Sequence, residues 1–170
     1  MKMKVFLLVA ICVGLTAATN LSSYCRANFP VSCPHPEYSS WYKVGGYCVK
    51  YFVTPLNFSD AEFSCRKEAV GKGAHLVSVH SEEANKNIIC ITMKYNHTSP
   101  RVWLGGFELF KSEKFVWIDG SEWNYNPWVP GQPDNTENTE DCVEINWKNT
   151  GMWNDDKCSE GKSYICEFKD

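Results

Sequence analysis

The sequence predicts an α+β fold: two helices, small antiparallel sheets and a long loop region, stapled by disulfides. Three observations predict it. One strand pattern and two helix patterns come first, and further strands with long loops follow, without a βαβ alternation. Nine cysteines are present, and eight remain if Cys12 leaves with an N-terminal leader; an even number in a secreted chain reads as a disulfide framework. Last, the stretch from Trp128 to Cys142 and the stretch Trp153-Asn154-Asp155-Asp156 crowd carboxylates and amides onto turn-forming backbone. Oxygen donors of that kind suit a hard cation such as calcium.

The chain is 170 residues long, enough for one domain and its accessories. Residues 1–18 read as a secretory signal peptide. Lys2 and Lys4 start it, an apolar run from Val5 to Gly14 follows, and Thr16-Ala17-Ala18 offers small residues for cleavage. No later run reaches the roughly 18 apolar residues of a spanning helix, so an extracellular protein without membrane insertion is expected. Losing Lys2 and Lys4 takes the formal charge from −3 to −5. That balance argues against nucleic acid, whose binders carry basic patches. Secretion also gives meaning to three glycosylation sequons, at Asn20, Asn57 and Asn96; Asn96 sits in the loop-like surroundings of His97, Ser99 and Pro100.

Residues 19–32 form an N-terminal arm carrying Cys25, and residues 33–169 form the domain. Pro34, Pro36 and Ser39-Ser40 mark turns, and the β-prone aromatic run Tyr47–Phe52 predicts a strand. A helix is expected from Ser59, with Ser59 and Glu62 as a capping box. Phe58, Ala61, Cys65 and Ala69 make its inner face, with Phe63 also assigned to the core; Gly71 and Gly73 end it. Ala74–Val79 reads as a short strand. A second helix starts at Ser81, with Glu82 and Glu83 in its first turn. Its stripe is Ala84, Ile88, Ile91 and Tyr95. Cys90 lies off the stripe and is expected to face a surface. His80 reads as a structural histidine. Strands follow at Val102–Phe107, Phe115–Trp117, Cys142–Trp147 and Tyr164–Phe168, the third alternating as a half-buried strand should.

Taken in order, these residues resemble a C-type lectin-like domain of the long form, with details similar to fish C-type lectins. The resemblance covers Cys33 to about Lys169. It rests on Cys33-Pro34, Cys48 before an aromatic strand, the helix bearing Cys65, and His80-Ser81-Glu82-Glu83. It continues through Trp103-Leu104-Gly105, Gln132-Pro133-Asp134, Glu140-Asp141-Cys142, Trp153-Asn154-Asp155, Cys158 and Cys166. It implies the disulfides Cys33–Cys48, Cys65–Cys166 and Cys142–Cys158. Cys25 and Cys90 remain, to pair with each other or to link two chains; a disulfide-linked or non-covalent homo-oligomer stays open.

The resemblance also implies calcium as cofactor, with Gln132, Asp134, Glu140, Asn154 and Asp155 as metal and sugar ligands. Calcium takes about 6–8 oxygens, which leaves room for two neighbouring sugar hydroxyls. A cis Gln132-Pro133 bond would turn both flanking side chains toward one ion. Gln-Pro-Asp resembles the galactose-type signature, which implies glycans ending in galactose or N-acetylgalactosamine. One departure is Thr136, where strong galactose binders carry a stacking tryptophan; Trp128 and Trp147 are the alternatives for that place, but both read first as core packing. A second calcium site maps to Glu108, Ser112, Asn135 and Asp141, with Ser112 and Asn135 replacing carboxylates, so weak binding or none is expected there. The alternatives are a type II antifreeze-like ice binder, which shares the fold and the Gln-Pro-Asp motif, and a calcium-independent protein-binding domain. Enzyme function ranks last: there is no HExxH, no G-x-S-x-G and no free cysteine nucleophile.

Overall fold

The computed structural model describes residues 21–170; the leader 1–18 and the Asn20 sequon lie outside the described residues. Residues 21–27 are helical (α1). Then come β1 (Tyr42–Val44), β2 (Tyr47–Leu56), α2 (Phe58–Glu68), β3 (His75–Leu76), α3 (Glu82–Tyr95) and β4 (Val102–Glu108). They are followed by β5 (Phe115–Trp117), β6 (Glu140–Ile145), β7 (Trp153–Lys157) and β8 (Lys162–Lys169). The α+β class is as expected. The strands hydrogen-bond into one sheet ordered β1-β2-β8-β4-β6-β7, with β3 on β8 and β5 on β4. All neighbours are antiparallel except β4 and β8.

Both faces of the sheet are covered, which explains its composition. On one face Val102, Leu104, Val143, Ile145 and Trp153 pack with Ile88 and Ile91 of α3. On the other, Trp103, Cys142, Tyr164 and Phe168 pack with Phe58, Ala61 and Cys65 of α2. A strand buried on both faces loses the in–out alternation of a half-exposed one. Accordingly the expected half-buried strand at Cys142–Trp147 is instead buried from Cys142 to Ile145, Glu144 included at 0 % exposure.

Several local expectations change. The α2 cap is Asn57, whose side chain accepts the Asp60 N–H, not Ser59. Glu62 is buried and accepts from Leu76 N and Arg66 Nε, and it also bonds His75 Nδ1, so no capping box forms. Phe63 is 58 % exposed, outside the core, because α2 turns its opposite face to the sheet. Only His75–Leu76 of the 74–79 stretch is a strand; Val77 still bonds both neighbours, donating to Ile165 O and accepting from Gly105 N. Gly105 is needed there, since a Cβ would lie 2.5 Å from the Leu76 carbonyl oxygen.

Ser81 caps α3 as expected, accepting from Ala84 N. Cys90 is 1 % exposed rather than surface-facing, because the α1 segment lies over it and Cys25 bonds it within the chain. The other disulfides are Cys33–Cys48, Cys65–Cys166 and Cys142–Cys158. His80 is satisfied by Asn124 Oδ1 and Ser78 Oγ.

Candidate functional site

The site forms where the loop between β5 and β6 folds over the β6–β7 hairpin. The stretch Trp153–Asp156, expected on turn-forming backbone, is strand β7. Its entry is fixed from α3: Asn85 accepts Trp153 Nε1–H at 3.0 Å and donates to Gly151 O at 2.9 Å. The loop is tied to the same strand. Val129 N donates to Trp153 O, and Trp153 N donates to Pro127 O. Gln132-Pro133 is cis.

Three carboxylates converge, from Asp134 on the loop, Glu140 at the head of β6 and Asp155 on β7; one oxygen of each lies within 4.8 Å of the others. Asp155 is fully buried and anchors the loop backbone, accepting from Asp134 N at 3.2 Å and Asn135 N at 2.8 Å. Gln132 sits beside them: its Nε2 donates to Asp134 Oδ2 and its Oε1 accepts from Asp134 N, both at 3.0 Å. Asn154 is buried in β7. Its Nδ2 donates to Glu144 Oε1 and to the Asp155 carbonyl, while its Oδ1 is buried without a hydrogen-bond partner. Thus Asp134, Glu140 and Asp155 meet as carboxylates and Gln132 joins through Asp134, while Asn154, next to Asp155 in β7, keeps an unsatisfied oxygen with its amide nitrogen held elsewhere.

The electrostatics follow from this crowding. Burial, then the neighbouring Asp155, Asp156 and Asp134 charges, push Glu140 up to about 7. Burial also raises Asp155, against the lowering effect of its backbone donors. Asp134 is lowered, first by Thr136, whose Oγ1 donates to Asp134 Oδ1 at 2.7 Å. Oxygen donors at mutual repulsion, with a buried amide oxygen still unsatisfied, fit a hard divalent cation.

Two supporting residues were not foreseen. Thr136, notable in the sequence only for what it is not, holds Asp134 through its hydroxyl and its N–H; the Asp-x-Thr spacing, an Asx-turn pattern, was the available signal. Asn135, left-handed at φ 44°, binds three elements: its N–H reaches Asp155, its Nδ2 donates to Glu108 Oε2, and its Oδ1 accepts from Glu140 N. Three of the four second-site positions, Glu108, Ser112 and Asn135, are therefore engaged internally, while Asp141 Oδ1 is buried without a hydrogen-bond partner. Glu108 also accepts from Glu113 N, Ser112 Oγ donates to Leu109 O, and the Asn135 amide nitrogen faces Glu108 where that site would need an oxygen.

Behind β7 lies a charge network that the sequence also hid. Arg101 Nε donates to both Glu144 oxygens, at 2.9 and 2.7 Å, and its Nη2 reaches Asp156 Oδ2 at 2.7 Å. Lys162, 7 % exposed, bonds Asp156 and lies 3.3 Å from Glu144 Oε2. Among the described residues no helix is long and apolar enough to cross a membrane.

A family profile described as "Lectin C-type domain" matches residues 54–168. A lectin of Pleurodeles waltl is 41 % identical over 119 residues, covering 70 % of this chain and 68 % of that protein. The galactose-specific lectin nattectin of Thalassophryne nattereri is 30 % identical over 162 residues, covering 95 % and 92 % of the two chains. Among solved structures, herring type II antifreeze protein is 31 % identical, with a TM-score of 0.70, covering 81 % of this chain and 98 % of that one.

Proposed function

We propose, from the premise that the chain belongs to the lectin C-type domain family, that it is a secreted, non-enzymatic lectin that binds galactose-type glycans through calcium. The observation that carries the reading is the convergence of Asp134 from the loop, Glu140 from β6 and Asp155 from β7 beside Gln132. When bound, calcium supplies a Lewis-acidic point on which sugar hydroxyls can complete the coordination. Gln132, Asp134, Glu140, Asn154 and Asp155 would hold it. Asn154 suits this role through the buried oxygen that has no other partner; ligation needs only that oxygen, so its nitrogen can stay on Glu144.

The same side chains would orient the sugar. A carboxylate only accepts hydrogen bonds, whereas an amide also donates. Gln132 and Asp134 therefore put a donor-capable group on one side of the site and an acceptor on the other. That order fits the galactose-type signature that the Gln-Pro-Asp motif resembles, and nattectin, aligned over nearly the whole chain, is named for galactose. The test is retention on immobilised galactose in calcium, with release by chelator or free galactose. Retention unaffected by chelator would remove calcium from the account.

A second reading has one specific observation in its favour, the likeness to herring type II antifreeze protein. Ice-crystal shaping together with failure to bind any sugar would select it.

A further inference from the structure

Resting on the calcium-lectin reading, we infer that the site recognises more than one sugar ring, the second ring lying in an aromatic cleft beside the carboxylate cluster. Two cavities adjoin at this edge of the molecule. One, of about 410 Å³, has the acidic floor of Glu108, Asp134 and Asp155. The other, of about 520 Å³, is walled by Phe115, Trp123 and Trp128, with Asn126 among its lining residues. They share Glu113, Phe115 and Pro133, so the cleft begins one residue from Gln132 and Asp134.

The wall is built rather than incidental. Phe115 meets Trp128 at 5.0 Å between ring centroids and Trp123 at 5.8 Å, and Trp123 meets Trp128 at 6.1 Å. Trp128 is fixed by its bridge to Trp153 and by the Val129 bond to the same residue. Phe115, Trp123 and Trp128 are each only half-buried, so part of each ring remains open.

The chemistry names the occupant. A pyranose ring presents a C–H face and a rim of hydroxyls. A first ring held by its hydroxyls over Asp134, Glu140 and Asp155 leaves its linkage free to cross Pro133. The next ring then sets its C–H face against Phe115 and Trp128, with hydroxyls within the range of Asn126 and Glu113. Thr136 offers the first ring no aromatic surface; the cleft supplies one a sugar further along.

The test compares methyl galactoside with lactose by calorimetric titration in calcium, on the parent, on Asn126→Arg, which obstructs the cleft, and on Phe115→Leu, which removes a ring but keeps bulk. Lactose is expected to bind the parent about tenfold more tightly, one aromatic contact's worth. That gain should vanish in Asn126→Arg while methyl galactoside binding stays as in the parent. Should Phe115→Leu fold poorly by thermal melting, Asn126→Arg decides alone, since Asn126 is exposed and lines only the aromatic cleft. Equal affinity for the two sugars in the parent, or a lactose gain that survives Asn126→Arg, would overturn the second-ring inference and leave the lectin reading standing. If neither sugar binds in calcium, both go.

Discussion

Replacing Glu140 by Gln should stabilise the protein without calcium and lose that advantage with it. In chelator, three carboxylates crowd one point, and Glu140 bears the strain: its carboxyl is pushed up to about 7 from 4.5. A carboxyl whose folded value is raised holds its proton more tightly folded than unfolded. The penalty of ionising it is therefore absent below about pH 4.5 and complete above about pH 7. Each unit is worth about 1.4 kcal/mol; because the side chain is partly open to solvent, screening reduces the total to about 1–2 kcal/mol. Gln removes the charge and keeps an acceptor for Thr136 N, the one donor Glu140 Oε2 serves. In chelator at pH 8 the variant should thus melt higher by roughly 3–6 °C, with no gain at pH 4.5.

In calcium that advantage is cancelled. A ligand at a hundredfold over its dissociation constant stabilises by about 2.7 kcal/mol. Losing one of three carboxylates should weaken calcium at least about tenfold, removing about 1.4 kcal/mol of that. The assay is a thermal melt at pH 4.5 and 8, in chelator and in saturating calcium. The reasoning fails if the variant melts below the parent in chelator at pH 8, or gains as much from calcium.

Other outcomes follow from the same geometry. Gln132→Glu with Asp134→Asn should move preference from galactose toward mannose on a glycan array; an unchanged profile would refute the donor–acceptor account. Glu144→Ala leaves Arg101 and the buried Lys162 to share the single carboxylate of Asp156 and should cost about 3–5 kcal/mol in denaturant unfolding. Glu167, pushed up to about 8 by burial, keeps its proton when folded between 4.5 and 8, so stability falls with rising pH across that window by up to about 1.4 kcal/mol per unit. Glu167→Gln should flatten that slope and out-melt the parent above pH 8. Replacing both Cys25 and Cys90 with Ala opens a 65-residue separation and should cost up to about 4 kcal/mol, while a non-reducing gel of the parent should show a monomer.

What was legible in the sequence was what is local. The α3 cap and stripe lie within a few residues of each other, so Ser81 and Ile88 read correctly. Gln132, Asp134 and Glu140 share one loop, and residue type alone suggested oxygen ligation. Asn57 was missed because Asn57, Ser59 and Asp60 all suit a cap, and only the backbone geometry chooses. Glu144 resembled the outward face of a half-exposed strand, because its counter-charge Arg101 comes from 43 residues away. Cys90 looked exposed because its cover, α1, is likewise remote in sequence. The meeting of Asp155 with Asp134 needed the β6–β7 pairing, which no window of sequence contains.

The charge network behind β7 has a consequence for assembly of the hairpin itself. Asn154 lies across from Glu144 and Asp155 across from Val143, so neighbours on β7 face opposite sides of the sheet. A slip of one residue would exchange those sides. Asp155 would be driven toward Glu144 and off the Asp134 and Asn135 N–H groups, Asn154 would lose its bond to Glu144, and Asp156 would lose Arg101 and Lys162. With four charges waiting on one side only, the strand has a single alignment that leaves none of them unpaired. The hairpin thus carries its own check on registration, independent of whether any ion or sugar is present, and loops grafted between Trp128 and Glu140 should inherit that alignment so long as Arg101, Glu144, Asp156 and Lys162 are kept together.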